Sequence, residues 1–317
     1  MEFGIISLGR HAMTKVIPAI RKAGYKISFI YSTDGGKGER VAREIDAQYV
    51  PDLEKFAMMG FDAVYISSPN SLHFPHAKIC LDAGKSVLLE KPATLKVEEI
   101  VELDLLAKRK GVRLSIGFHL RFHPAVEDVK KIISSGEIGR VLYSYGKWSY
   151  YSPRSGDTSW KSRADMAGGG SLVGTGVHVI DSFINLFGND VRGVSATNSP
   201  KCSVIDETAH ATLHFSSGIV ADGISSRMIS DNYNDLLILG EKGSIRVTNL
   251  YSTSVDSELH VNGSFVKRYE GTDMYEEEIK AFAHGDSRIA GGEAGIISTK
   301  LLLAIQRSAC NGTTVEL

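Results

Sequence analysis

Ser86-Val87-Leu88-Leu89-Glu90-Lys91-Pro92-Ala93-Thr94 is a short apolar run that ends in two charges and a proline. Val87 to Leu89 follow the turn Ala83-Gly84-Lys85, and their unbroken apolar character is that of a buried parallel strand. Pro92 cannot continue the ladder, and it biases Lys91 towards extended backbone. A lysine therefore stands at the carboxyl end of a central strand, where open α/β sheets place their ligands. A solvated lysine at a strand end has the same spacing. The rest of the chain decides whether Lys91 carries chemistry.

Working outward, strands at residues 2–8, 26–31, 48–50, 62–67 and 112–118 surround the opening stretch. Helical patterns follow Gly9, then occupy 38–45, 53–59, 74–83 and 98–110. Strict alternation of strand and helix means a doubly wound parallel sheet. The first strand leads into Ser7-x-Gly9-x-x-Ala12, a partial dinucleotide fingerprint with serine where the first glycine normally stands. Ser7, Gly9, Arg10, His11 and Ala12 form the expected pyrophosphate turn, with the helix N–H groups facing the anion. The second strand ends in Ser32-Thr33-Asp34-Gly35-Gly36-Lys37. An NAD site places a carboxylate at that strand end, and here it is Ser32. Ser32 and Thr33 can donate to a 2′-phosphate, and Lys37 or Arg40 can neutralise it, so the reading favours NADP over NAD. Asp34 swinging in would favour NAD instead. Ser68-Pro69-Asn70 and His73 form a further polar loop at a neighbouring strand end.

The chain has 317 residues, enough for two domains, with 43% hydrophobic and 23% charged residues. A net charge of -1 gives no reason to expect a nucleic-acid or membrane partner. No stretch is apolar for long enough to span a bilayer, and no basic segment precedes an apolar run at the N-terminus, as expected of a cytoplasmic protein. Cys80, Cys202 and Cys310 are an odd number without metal spacing and read as reduced thiols; no metal site is expected.

Beyond Pro124 the rhythm changes. A helix at 126–134 precedes strands at 141–145, 191–195, 210–215, 219–225, 235–239, 244–248 and 266–269, with turns such as Ser216-Ser217-Gly218 between them. Alternation of apolar and polar residues in several of them, with turn signals between, indicates a mostly antiparallel sheet. Between them lie Tyr150, Tyr151, Trp160, Lys161, Arg163 and Asp165, whose aromatic faces and charged donors suit a sugar or polyol. Gly168-Gly169-Gly170 leads into a helix that carries His178 and Asp181 on one face.

Five motifs occur in order: Ile6 to Arg10, Asp62 to Asn70 with His73, Glu90-Lys91-Pro92, Gly117 to Pro124, and Gly168 to Gly170 with His178 and Asp181. Together they resemble the glucose–fructose oxidoreductase / inositol dehydrogenase family of NAD(P)-dependent sugar and polyol oxidoreductases. The resemblance implies an α/β fold: a Rossmann domain over 1–120, then a substrate-binding and oligomerising domain over 121–317 built on a large, mostly antiparallel sheet. It implies a homodimer or homotetramer through the open face of that sheet. It implies Lys91 and His178 as catalytic residues, and Glu90, Lys91 and His119 beside the nicotinamide. Lys91, Arg121, Tyr151, Trp160, Arg163, Thr175, His178 and Asp181 are the residues expected around substrate. Relatives carry an aspartate four residues before the histidine, where this chain has Gly174, and an asparagine where it has His119. Asp181, Asp165 or a water held by Thr175 can replace the missing carboxylate. A cofactor-binding regulatory protein, an NAD-assisted glycosidase and a reductase of non-sugar carbonyls or diols are the alternative readings.

Overall fold

The computed structural model describes residues 1–153, 156–230 and 233–317. The chain forms two units: Met1–His119 with Tyr275–Thr299, and Leu120–Met274 with Lys300–Leu317.

In the first unit, β1 (Glu2–Ile6), β2 (Lys26–Tyr31), β3 (Gln48–Tyr49), β4 (Ala63–Ile66), β5 (Ser86–Glu90) and β6 (Leu114–Gly117) pair in parallel in the order β3-β2-β1-β4-β5-β6. Between them run α1 (Ile17–Lys22), α2 (Gly35–Glu44), α3 (Leu53–Ala57), α4 (His73–Asp82) and α5 (Val97–Lys110). Val64, Tyr65 and Ile66 of β4 and Val87, Leu88 and Leu89 of β5 are fully buried. Cover on both faces is why these strands read as unbroken apolar runs. Strand order reverses between β1 and β4, so the carboxyl ends of these two strands frame the crevice where such sheets bind ligands.

The chain comes back to this unit near its end. Tyr275, Ile279 and Phe282 of a late helix bury themselves against Phe3, Ile5, Ile20 and Ile30. The sequence pattern places everything after residue 120 in the second domain and carries no local sign of the return of this helix. Its apolar positions mark a buried face, but nothing local says which sheet they will cover.

The second unit contains β7 (Val141–Ser149), β8 (Val191–Ser199), β9 (Thr208–Phe215), β10 (Val220–Ser226), β11 (Leu236–Gly240), β12 (Ser244–Val247), β13 (Asp256–Val261) and β14 (Ser264–Glu270). β15 (Ala290–Gly291) returns to the edge of the first sheet, beside β6, and β16 (Val315–Glu316) closes the second. The second sheet runs β14-β13-β12-β11-β7-β10-β9-β8-β16, and only β7 and β10 pair in parallel. The helices of this unit are α6 (Pro124–Ser135), α7 (Ala164–Ala167) and α8 (Val177–Phe187); α9 (Met274–His284) falls almost wholly in the first unit, and α10 (Gly292–Asn311) begins in the first and ends in the second. Glycines let α8 lie close on the sheet. A Cβ at Gly146 would come within 2.9 Å of Val179, and one at Gly223 within 3.2 Å. The other face of β7, β9 and β10 presents Tyr143, Tyr145, His210, Thr212, Asp222 and Ile224, all half-buried.

The three reduced thiols of the sequence reading are corrected at two positions. Cys202 and Cys310 are joined as a disulfide, their Cα atoms 4.3 Å apart. They lie 108 residues apart in the chain, so no spacing announces the pair. Cys80 stays free, and burial pushes its thiol up to about 12.

Ser7, directly after β1, has a φ of 75°. The serine therefore occupies the left-handed backbone conformation that the glycine of the fingerprint normally supplies, which costs a side-chain-bearing residue about 1–2 kcal/mol. Ser7→Gly is expected to raise unfolding stability by about 1 kcal/mol after the entropy of a more flexible unfolded chain is deducted, and Ser7→Val to lower it. Urea denaturation of the two variants checks the sign of each.

Candidate active site

In the first unit, polar groups gather where β1, β4 and β5 end. A Cβ at Gly9 would meet no protein atom within 4 Å, so packing makes no demand for glycine there. What a bare backbone gives is close approach of an anion to the start of the helix. Ala12, by contrast, is fully buried, and the Met13 N–H bonds to the Gly9 carbonyl at 3.1 Å. The helix then runs through a π turn, Ala12–Val16, before α1. This turn fits a dinucleotide pyrophosphate, with Arg10 and His11 at its rim.

At the end of β2, Ser32 is buried. Its hydroxyl accepts from the Asp34 N–H at 3.2 Å, and its carbonyl accepts from the Tyr49 hydroxyl at 2.9 Å. Asp34 caps α2 by accepting the Lys37 N–H at 3.0 Å. The one carboxylate in this turn is thus engaged by backbone. Thr33 and Arg40 are exposed and Lys37 is half-buried.

Beyond β4, Ser68 and Asn70 are buried on either side of Pro69. His73 is wholly buried, with Nδ1 2.8 Å from the Pro92 carbonyl and Nε2 3.0 Å from the Ser68 carbonyl. Both nitrogens of the ring thus face protein carbonyls. Burial lowers its pKa, outweighing the two backbone contacts and the Glu90 charge that raise it.

Glu90 is the centre of this group. Its Oε1 accepts from the Tyr65 hydroxyl at 2.7 Å and stands 3.3 Å from His11 Nε2, while Oε2 accepts from the Lys91 N–H at 3.2 Å. Burial pushes its pKa up, but the His11 charge and hydrogen bond, the Lys91 charge and the Tyr65 hydroxyl prevail and hold it at about 2. Lys91 leaves this carboxylate half-buried and joins Pro92 through a cis peptide. His119 stacks on Tyr275 at 4.5 Å, and His11 meets the same ring edge-on at 5.3 Å.

The second unit builds its own group around α8. A π turn, Leu172–Gly176, leads into this helix. His178 is buried, its ring 5.2 Å from that of Trp148, and the Ser182 hydroxyl donates to its carbonyl at 2.9 Å. Arg121 grips Asp181 through two nitrogens, at 2.6 and 2.9 Å, with the carboxylate almost completely buried. Asp165 receives Arg163 at 2.8 Å, and the Thr175 hydroxyl donates to the Ser171 carbonyl at 3.3 Å. All three groups expected to stand in for the missing carboxylate therefore have other partners. A Cβ at Gly174 would meet nothing within 4 Å. Tyr151 is exposed and Trp160 half-buried, with the Lys161 ammonium 5.7 Å from the Trp160 ring. Among the described residues, no group of three or more His, Cys, Asp or Glu could hold a metal ion.

Tyr65, Trp148, Asp206 and Tyr275 escaped the sequence reading. Tyr65 and Trp148 sit in strands and read as core, Tyr275 lies in the first turn of α9, and Asp206 lies in a turn with no motif around it.

Residues 1–118 match the oxidoreductase family with an NAD-binding Rossmann fold, and residues 126–246 match the GFO/IDH/MocA C-terminal domain. An uncharacterised oxidoreductase of Rhizobium meliloti, ORF334, is 31% identical over 98% of both chains. D-xylose 1-dehydrogenase (NADP(+)) 2 of Haloferax volcanii is 26% identical over the full length of both. The crystal structure of aldose-aldose oxidoreductase from Caulobacter crescentus, complexed with glycerol, superposes with a TM-score of 0.90. It covers 100% of this chain and 99% of its own at 22% identity.

A carboxylate held at about 2 rather than its ordinary 4.5 contributes about 3 kcal/mol of stability. Because the folded-state pKa is the lower one, that contribution is complete above the ordinary value and fades as pH falls towards 2. Glu90→Gln is therefore expected to lose about 3 kcal/mol near neutral pH, with the gap to the parent protein narrowing below about pH 4. Urea denaturation across that range measures it.

Proposed function

This chain belongs to the GFO/IDH/MocA oxidoreductase family, and on that premise we propose that it moves a hydride between NADP and a sugar or polyol. One observation carries the reading furthest. Lys91 stands at a strand end whose preceding carboxylate is fixed from three sides, in a sheet whose first turn fits a pyrophosphate.

The nicotinamide, when bound, supplies the hydride acceptor or donor. The protein's own groups handle charge and protons. His178 takes the hydroxyl proton as a carbinol becomes a carbonyl, and returns it in the reverse direction. Lys91 remains an ammonium and stabilises negative charge developing on that oxygen, worth about 3 kcal/mol. Glu90 holds the lysine's backbone, and His73 braces the turn that follows it. His119, stacked on Tyr275, would flank the nicotinamide end of a bound cofactor. With Asp34 committed to its cap, Ser32, Thr33 and Lys37 favour a 2′-phosphate, which supports NADP over NAD. NADP also appears in the name of the Haloferax relative. Tyr151, Trp160 and Arg163 offer the aromatic faces and donors that a sugar uses, while Arg121 and Asp181 hold each other and shape the surroundings of His178.

The open face of the second sheet, rich in half-buried Tyr143, Tyr145 and Ile224, fits a homodimer or homotetramer. A cytoplasmic setting belongs to the same reading, and the Cys202–Cys310 bond, uncommon in that compartment, is the feature against it.

Two experiments test the proposal. Lys91→Ala is expected to cut kcat with NADP and an aldose panel that includes D-xylose by roughly 100- to 1000-fold, leaving the cofactor Kd within about two-fold. Unimpaired turnover in that variant rejects the assignment. Gly9→Val is expected to leave the melting temperature near that of the parent, because open space surrounds the position, yet to weaken NADPH binding by about 10-fold or more. Fluorescence titration with NADPH reads the second effect, and equal affinity removes Gly9 from the cofactor site.

A further inference from the structure

The approach to α8 is held by a residue that the proposed reaction does not use. Asp206 lies in the turn before β9 and is 1% exposed. Its Oδ1 accepts the Gly170 N–H at 3.1 Å and its Oδ2 the Leu172 N–H at 2.9 Å. Its backbone carbonyl accepts the Ser171 N–H at 2.9 Å. Three successive N–H groups at the mouth of the helix thus end on one aspartate, distant in sequence, in place of a local cap. The glycine run makes this possible. A Cβ at Gly170 would lie 1.9 Å from the Asp206 carbonyl oxygen, so only glycine lets the two backbones come so close. Burial raises the Asp206 pKa against the pull of these N–H groups. The cap is therefore a buried group whose value lies in where it fixes the chain.

What it fixes is a register. Leu172 is the first residue of the π turn that ends at Gly176, two residues before His178. A π turn contains one residue more than the α turn it replaces. Relaxing it to α geometry would swing every following side chain by about 100° around the helix axis. The imidazole now lies against the Trp148 ring, and a rotation of that size would carry it away.

We propose that Asp206 is a positioning residue for His178: by capping Gly170, Ser171 and Leu172 it pins the start of the π turn and so sets the direction of the imidazole. The proposal rests on His178 as the proton-transferring group, and its test separates the two claims. The full-length protein carrying Asp206→Asn keeps the shape of the side chain but turns an N–H donor against one of the helix N–H groups. Gly170→Ala attacks the same contact from the other side. Asp206→Ser, with a shorter acceptor, is the milder change if Asp206→Asn does not fold by circular dichroism. The first readout is the NMR titration of the His178 ring, which needs no substrate. It is expected to shift by about 0.5 unit or more in each variant, because the ring changes surroundings. Turnover on the most active aldose of the panel is expected to fall by about 100-fold while the NADPH Kd stays within about two-fold. Accelerated amide exchange at Gly170 to Leu172 with an unmoved His178 titration and near-normal kcat makes Asp206 a structural cap only and overturns the proposal. A fully active His178→Asn enzyme sinks the base assignment instead, and the titration in Asp206→Asn still decides the positioning role.

Discussion

A carboxylate sits almost out of solvent at the end of β5, and the chemistry of the first unit is arranged around keeping it charged. An isolated buried carboxylate costs several kcal/mol, so it persists only where donors and positive charge converge on it. Tyr65 from β4, His11 from the turn after β1 and the backbone N–H of Lys91 supply them. Three chain segments at the crevice of the sheet are thereby tied to one atom group. Because one of the donors is the amide of Lys91, the interaction that compensates the buried charge also fixes where the lysine begins. One step on, the wholly buried ring of His73 lies between the Pro92 and Ser68 carbonyls and, being neutral, donates its one N–H to one of them.

The second unit solves a comparable problem with backbone. Asp206 gathers the N–H groups ahead of α8, Gly146 and Gly223 let that helix lie close on β7 and β10, and Trp148 supports the imidazole. The same unit holds the buried Arg121–Asp181 pair. Pairs of this kind add little net stability once desolvation is counted, and breaking one leaves a charge stranded. Its contribution is a fixed arrangement of side chains one helical turn beyond His178.

Much of this was legible in the sequence because the relevant signals are local. Unbroken apolar runs gave β4 and β5, alternation gave β9 and β10, and a proline after two charges located Lys91. Glycine turns marked the starts of both site helices. What stayed hidden depends on contacts between distant residues. Tyr65 looks like a core residue until Glu90 is placed beside it. Tyr275 opens a helix whose apolar face matches either sheet equally well on paper. Asp206 is an acidic residue in an ordinary turn, and the disulfide joins cysteines with no shared motif. The serine at position 7 shows the reverse case. It breaks the glycine pattern in sequence, yet its backbone takes the left-handed conformation that the pattern serves.

The account stands or falls on hydride transfer. NADPH carrying deuterium at C4 of the nicotinamide, incubated with the protein and a panel of ketoses and aldoses, tests it most directly. The expected result is a reduced product with deuterium on the new carbinol carbon, formed roughly 100- to 1000-fold more slowly when Lys91 is replaced by alanine. Tight NADPH binding with no label in any product, and the deuterated cofactor recovered unchanged, would contradict it.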